Sequence, residues 1–150
     1  MKKFKFSLEK VLEIKEVEEK IIQKDLLLVQ HEIAETEKKI VSLKENISLE
    51  RKKISTLSLS IINAMDIMLH YNYIDSLSAE VEILNDNLKK LRVKELQIKN
   101  QLIEKSREKK SLERLKEIKY EEFRKEYNKT QQQFIDDISI QSHRFKVGSI

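Results

Sequence analysis

The sequence contains three histidines, whose side chains can bind metals and exchange protons near neutral pH. His31, His70 and His143 are far apart along the chain, and no two of them would share a turn of a helix. A metal site needs three or four converging ligands, and the chain has no cysteine to supply a thiolate. We therefore expect no metal site and no bound cofactor.

Acidic side chains are the next candidates for chemistry, because paired carboxylates can act as a general acid and a general base. Glu121 and Glu122 are adjacent, but on an exposed helix without a cavity they are solvated charges that pair with Arg124 and Lys125. The single glycine, Gly148, cannot build a phosphate-binding loop. The sequence predicts neither an enzymatic activity nor a small-molecule ligand.

The elements that position these residues must be helices. The chain has no proline and one glycine among 150 residues, whereas compact folds with many tight turns depend on both. Charged residues make up 37% and apolar residues 39%, without a run long enough to span a membrane or to serve as a signal peptide. We expect an all-α, cytoplasmic protein.

A ladder of isoleucines dominates the first half: Ile33, Ile40, Ile47, Ile54 and Ile61 stand seven residues apart. A seven-residue repeat keeps one face of a helix against a partner helix, as in coiled coils. Alternating spacings of four and three extend this seam in both directions. Its remaining members, most of them apolar, are Leu8, Leu12, Lys15, Glu19, Ile22, Leu26, Val29, Thr36, Leu43, Glu50, Leu57, Ala64 and Met68.

A second seam does not continue the first, because the apolar positions change phase after Met68. It comprises Ile74, Leu77, Val81, Leu84, Leu88, Leu91, Glu95, Ile98, Leu102, Lys105, Lys109 and Leu112. The phase change predicts a break near His70 to Tyr73, where Asn72 tolerates a left-handed backbone angle. We predict a single domain over residues 1–150, formed by two long helices in an antiparallel coiled-coil hairpin. The predicted bounds are helix 1 at about 7–69, a turn at about 70–75, helix 2 at about 76–138 and a flexible tail at 139–150.

The hairpin register follows from pairing the two seams. The numbers of facing residues then add up to a constant, and a sum of 145 pairs the seams along their whole length. This register places Glu50 against Glu95, a repulsive layer, and Thr36 against Lys109. We predict it as the favoured alignment of the two helices.

The basic stretch from Lys105 to Lys129 allows two interpretations: a helix that contacts nucleic acid phosphates, or an exposed face whose acids and bases pair with each other. The alternation of sign favours the second, so we expect no nucleic acid partner. An aromatic stripe follows the second seam, comprising Tyr120, Phe123, Tyr127, Thr130 and Phe134, and Phe4 and Phe6 can pack on it. Tyr71 and Tyr73 have little core to enter at a hairpin tip, so they are candidate partner contacts.

Three stretches together resemble the FliJ family of flagellar type III export proteins. The opening of residues 4–19, which starts Phe-Lys-Phe-Ser-Leu-Glu-Lys-Val-Leu and continues with mostly charged residues, resembles the family's start, and Tyr-Ile-Asp-Ser-Leu of residues 73–77 resembles its central region. Residues 108–127, with Lys-Lys-Ser-Leu-Glu-Arg-Leu-Lys, resemble its C-terminal helix. The run Gln-Gln-Gln-Phe-Ile-Asp-Asp of residues 131–137 departs from the more acidic ending expected of the family.

The resemblance implies a two-helix coiled coil similar to the central stalk of rotary ATPases. Its open end would enter the hexameric export ATPase, through a surface that maps here to Phe4, Phe6, Leu8, Leu12, Arg114, Phe123, Arg124 and Tyr127. Its middle and tip would bind the cytoplasmic domain of the export gate and the chaperones of export substrates, through Tyr73 and Leu77, with Tyr71 added by the tip argument. The protein would lie at the inner face of the cell membrane, peripherally and only through these partners. The alternatives are an injectisome stalk protein and a generic coiled-coil scaffold.

Overall fold

Two long helices make up the computed structural model, which describes residues 2–58 and 64–148. Helix α1 spans Glu9–Leu57 and helix α2 spans Ala64–Gly148. The all-α prediction is confirmed, since no strand occurs in these two ranges. Ile61 of the isoleucine ladder and the predicted helical course of residues 59–63 lie outside the described residues, as does the end of the predicted tail. None of the described helices combines the length and apolar character that a membrane crossing requires.

Hydroxyl side chains accompany the end of α1. The Thr56 hydroxyl donates to the Lys52 carbonyl at 3.0 Å, and the Ser58 hydroxyl donates to the Ser55 carbonyl at 2.9 Å. The Thr56 bond alone does not end a helix, since Thr36 bonds the Glu32 carbonyl in the same way within α1. The prediction that helix 1 runs to about residue 69 is wrong, because α1 ends at Leu57.

The predicted turn at about 70–75 and the start of helix 2 at about 76 are also wrong, because α2 begins at Ala64 and contains Asn72 in ordinary helical conformation. The phase change itself is real. The seam of α2 begins earlier than predicted, since Ile67 packs on the core and His70 reaches α1, whereas Met68 is 65% exposed. Met68 matched the first seam by spacing alone, and this displaced the predicted turn.

The central unit, Lys20–Ile103, holds two apolar clusters between antiparallel helices. The first cluster contains Ile40, Ile47, Ile54, Ile74, Leu77 and Val81. The second contains Val29, Ile33 and Ile98. All of these side chains are at most 9% exposed, so the described part of the isoleucine ladder is core, as predicted. The ladder's partner is the same chain.

The terminal unit comprises Met1–Glu19 and Glu104–Ile150. Its α1 and α2 segments also run antiparallel, since Glu9 pairs with Lys116 and Lys15 pairs with Glu108. Leu12 is 4% exposed and is the buried apolar side chain of this unit within the described residues. Much of the remaining contact between the two segments is made by charged side chains.

The predicted register is wrong in both units. Glu50 contacts His70 rather than Glu95, and Lys109 contacts Glu19 rather than Thr36. The paired residue numbers add up to 123 for Lys15 and Glu108, 125 for Glu9 and Lys116 and 129 for Glu37 and Arg92, instead of 145, which is a shift of about three heptads. A shift by whole heptads still brings seam against seam, so apolar spacing alone cannot distinguish the two alignments. The observed alignment removes the Glu50–Glu95 repulsion and places Lys109 against an acid.

The last segment of α2 extends further than predicted. Residues 139–148, predicted as a flexible tail after a helix ending at about 138, are helical through Gly148. Every side chain from Asn128 to Gly148 is exposed. The side chains of this part of α2 are therefore largely accessible to solvent.

Candidate partner-binding surfaces

An aromatic cluster joins the residues before α1 to the side of α2. The Phe4 ring meets the Tyr120 ring edge to face, with centroids 5.3 Å apart, and lies 5.6 Å from the Phe123 ring. The Phe123 and Tyr127 rings stack at 6.2 Å. We call Phe4, Tyr120, Phe123 and Tyr127 the aromatic cluster. Its α2 members recur at three- and four-residue spacing and so share one face of the helix.

Backbone hydrogen bonds at the start of α1 fix the segment that carries Phe4. The Glu9 amide donates to the Phe6 carbonyl at 3.2 Å, and the Leu12 amide donates to the Leu8 carbonyl at 2.9 Å. Phe6 and Leu8 remain half-buried, whereas Leu12 belongs to the core. Of the residues predicted to bind a partner at this end, Leu12 can therefore act only as support for the surface.

Lysines flank the aromatic cluster on an open groove. The groove is lined by Lys2, Lys3, Lys5, Phe6 and Lys119, among others. Lys119 pairs with Glu122 at 3.4 Å on the same helix. Lys2, Lys3 and Lys5 are exposed and give the groove a basic rim, whereas Phe4 and Phe123 line it beside the two acids Glu122 and Glu126.

The two predicted arginines are exposed on the same helix as this groove. Arg124 pairs with Glu121 at 3.7 Å, as the alternating charges of the stretch predicted. Arg114 is exposed one turn and more before the aromatic cluster. The structure thus brings Phe4, Phe123 and Tyr127 into direct contact and leaves the two arginines on the surface of α2.

Four charged residues close a ring between the helices of the terminal unit, and we call Lys15, Glu18, Lys105 and Glu108 the ion-pair ring. Lys15 Nζ lies 2.7 Å from Glu108 Oε2 and 3.6 Å from Glu18 Oε2. Lys105 Nζ lies 3.1 Å from Glu18 Oε2 and 3.6 Å from Glu108 Oε2. Each charge therefore has two neighbours of opposite sign.

The ring shifts the protonation of its members. The hydrogen bond from Lys15 lowers the pKa of the Glu108 carboxyl, and the hydrogen bond from Lys105 lowers the pKa of the Glu18 carboxyl. The bond to Glu108 raises the pKa of the Lys15 ammonium. All three shifts favour the charged forms, so the ring is held in its ionised state.

Glu50 is the buried charged residue of the central unit within the described residues, at 8% exposure. His70 Nδ1 lies 2.6 Å from Glu50 Oε2, and Lys53 Nζ donates to Glu50 Oε1 at 3.1 Å. The bond from His70, followed by that from Lys53, lowers the pKa of the Glu50 carboxyl. This pairing was not predicted, because His70 was expected in the turn between the helices.

Exposed apolar side chains surround the outward side of the start of α2, with Tyr71 and Tyr73 on its two opposite flanks. Tyr71 is 53% exposed and Tyr73 is 49% exposed, so both remain available to a partner as predicted candidates. Leu77, the third predicted member, is 6% exposed and belongs to the core. The exposed neighbours Met65, Met68 and Leu69 were not predicted, because Met68 had been assigned to the seam. We call Met65, Met68, Leu69, Tyr71 and Tyr73 the α2-start patch.

Metal binding has no geometric basis in the residues described. No three acidic or histidine side chains among them converge as ligands would. His31 pairs with Glu35 on one exposed turn of α1, and His70 pairs with Glu50. His31 and His70 thus each contact a single carboxylate, at separate places on the helices.

A protein-family model matches the sequence over almost the whole chain. The model of the flagellar FliJ protein family matches residues 4–147, which include the aromatic cluster, the ion-pair ring and the α2-start patch. No curated protein and no solved structure matches the chain.

Proposed function

Because the chain belongs to the FliJ family and is thereby a component of flagellar type III protein export, we propose that it is a non-enzymatic coupling protein of that apparatus. Two separate surfaces would each bind one class of partner. The aromatic cluster with its lysine groove would bind the hexameric export ATPase. The α2-start patch would bind the cytoplasmic domain of the export gate and the chaperones that bring export substrates.

The contact of Phe4 with Tyr120 and Phe123 carries the ATPase proposal. It joins the N-terminal segment to α2, so that residues distant in sequence present one surface with aromatic and basic character. Aromatic residues and arginine are enriched at the centres of protein interfaces. Phe6, Tyr127, Arg114 and Arg124 extend this surface, and Leu12 supports it from the core.

The ATPase contact is tested by adding the purified chain to the export ATPase and measuring hexamer formation and ATP hydrolysis. We expect the wild-type chain to promote both, and Arg114→Ala and Phe123→Ala each to weaken binding by roughly tenfold. Arg114 is exposed, so its replacement leaves folding intact. Tyr73→Ala, on the other surface, is the matched control. Unchanged hexamer formation and hydrolysis with the wild-type chain would contradict the proposal.

The exposure of the α2-start patch supports the second contact. Several large apolar side chains on adjacent turns remain in solvent, which is typical of protein-binding surfaces. Leu77 would support this contact from the core, because its burial fixes the turn of α2 that carries Tyr73.

Affinity measurements with the isolated cytoplasmic domain of the gate test this second contact. The double variant Tyr71→Ala/Tyr73→Ala should lose gate binding and keep ATPase binding, whereas Phe123→Ala should do the reverse. Binding to the gate that survives the double variant would remove these residues from the interface. If the gate contact holds, the protein lies peripherally at the inner face of the cell membrane through its partners. Fractionation of cells with and without the gate measures how much of the protein is found with the membrane.

The injectisome stalk protein remains the second candidate function, because the sequence pattern is similar in both systems. The match to the flagellar family favours the flagellar system. Restoration of swimming, but not of injectisome secretion, in cells lacking the respective stalk protein would distinguish the two.

A further inference from the structure

The C-terminal part of α2 carries an apolar stripe with coiled-coil spacing. Phe134, Ile138, Gln141 and Phe145 follow one another at steps of four, three and four residues, which places them on one face of the helix. Phe134 is 62% exposed, Ile138 is 50% exposed and Phe145 is 82% exposed. We call these four residues the C-terminal stripe.

No described residue of this chain covers the stripe. All side chains of residues 128–148 are exposed, and the N-terminal segment is already engaged at Tyr120 and Phe123 through Phe4. Only Lys2 and Lys3 precede Phe4 in the described part of the chain. A helix with large exposed apolar side chains at heptad spacing is typical of one strand of an intermolecular coiled coil.

The charges beside the stripe are divided along its length. Asp137 flanks its first half and Arg144 flanks its second half, whereas Asp136 lies on the far side of the helix, where Gln132 donates to it at 3.0 Å. A parallel pair of such helices would place each Asp137 beside Ser142 of the other copy and form no ion pair between flanking positions. An antiparallel pair would place Asp137 beside Arg144 of the other copy, and two-fold symmetry would form this ion pair twice.

We propose that the C-terminal stripe binds a second copy of this chain in an antiparallel, two-fold symmetric arrangement. Phe134 of one copy packs against Phe145 of the other, and Ile138 packs against Gln141. Asp137 of each copy faces Arg144 of the other, so the surface is complementary to itself. The charges set the orientation, and the aromatic layers exclude water. The four residues of the stripe belong to neither the ATPase surface nor the gate surface proposed above.

The stripe is short, so the association is weak and depends on concentration. Sedimentation velocity of the full chain from about 5 µM to about 500 µM should show a monomer that converts reversibly to a dimer. Ile138→Asp should abolish the dimer over this range, because it places a charge in the central layer. Ile140→Asp is the matched control: Ile140 is similarly exposed, at 52%, but lies on the outer side of the same helix. Circular dichroism confirms that both variants keep the helical content of the wild type.

A charge exchange tests the orientation. Asp137→Arg alone should weaken the dimer at least severalfold, since it brings two positive charges together. The double variant Asp137→Arg/Arg144→Asp should restore it. A parallel dimer predicts no rescue, because the two positions then face other residues.

A distance measurement gives an independent reading. The chain has no native cysteine, so Glu126→Cys permits a single spin label outside the stripe. The antiparallel arrangement places the two labels about 40 Å apart, whereas a parallel pair brings them within about 15 Å. A chain that stays monomeric at the highest concentration, or labels at the shorter distance, would overturn the proposal. If the chain stays monomeric, the stripe would instead be a binding surface for a different protein.

Discussion

Lys15 Nζ lies 2.7 Å from Glu108 Oε2, so a position of α1 where the heptad repeat favours an apolar side chain is matched by an acid of α2. Lys105 likewise stands in the α2 seam and meets Glu18. Polar side chains in one seam are thus paired with charges of opposite sign from the other helix. This matching specifies the alignment, because a heptad slip would leave the charges against apolar side chains.

The register can be tested within the central unit by paired cysteines. Glu37→Cys with Arg92→Cys should cross-link within one chain through a short thiol reagent, because the native side chains are in contact at 2.9 Å. Glu50→Cys with Glu95→Cys, which the alternative alignment would bring together, should not. The measurement is made in dilute solution, by mass spectrometry of the monomer. Efficient linkage of the second pair would contradict the observed register.

The ion-pair ring predicts a dependence of stability on acid. The pKa values of Glu18 and Glu108 are lowered on folding, so their stabilisation is present above the ordinary pKa of 4.5 and is lost as the pH falls through the lowered values. Glu108→Gln should therefore be less stable than the wild type at pH 7, and the difference should shrink below pH 4.5. Urea unfolding at a series of pH values measures it.

Glu104→Gln is the matched control for that experiment, because Glu104 is an exposed acid one turn before Glu108 on the same helix. It should follow the wild type at all pH values. A difference between wild type and Glu108→Gln that grows as the pH falls below 4.5 would show that the ring does not stabilise the fold through its charges.

The buried Glu50 predicts a contrast between single and double replacement. His70→Ala should lower the melting temperature, because Glu50 then loses its partner on α2 while remaining buried. Glu50→Leu with His70→Leu should recover or exceed the wild-type melting temperature, since apolar side chains fill seam positions of a coiled coil well. A double variant less stable than His70→Ala would contradict this account.

Among single truncations to alanine in the terminal unit, we expect that of Leu12 to lower the free energy of unfolding most. Leu12→Ala should lower the free energy of unfolding by about 2 to 4 kcal/mol, because a nearly fully buried side chain leaves a cavity. Ile14→Ala, at a site that is 56% exposed on the same helix, should change it by less than about 0.5 kcal/mol. Denaturant unfolding of both variants measures the difference, and equal effects would show that Leu12 is not core.

The spacing of apolar residues was sufficient to predict the helices, their fold-back and the burial of Ile33, Ile40, Ile47 and Ile54. It was not sufficient for the register, because a repeat of seven is satisfied by any shift of whole heptads. The charges carried the missing information: Lys105 and Lys109 need acids opposite them, and Glu18 and Glu19 supply these. The position of the turn was lost for a related reason, since Met68 has the spacing of a seam residue while lying on the outer face.

The candidate surfaces divide in the same way. The packing of Phe4 on the aromatic stripe was predictable, because large rings at helical spacing need a neighbour. Tyr71 and Tyr73 are exposed, as expected of partner contacts. Their exposure was expected from a position in the turn, whereas both lie within helix α2. Leu77 could not be assigned correctly without the register of α2.

The pairing of Glu37 with Arg92 and of Glu50 with His70 links the lengths of two distant stretches of sequence. A deletion of seven residues from α1 between Glu37 and Glu50 would break one of these pairs unless seven residues were also removed from α2 between His70 and Arg92. An insertion or deletion of whole heptads in this part of α1 should therefore be accompanied, during evolution, by one of the same length in the facing part of α2. Gaps in the sequences of relatives would then reveal the fold-back without any structure.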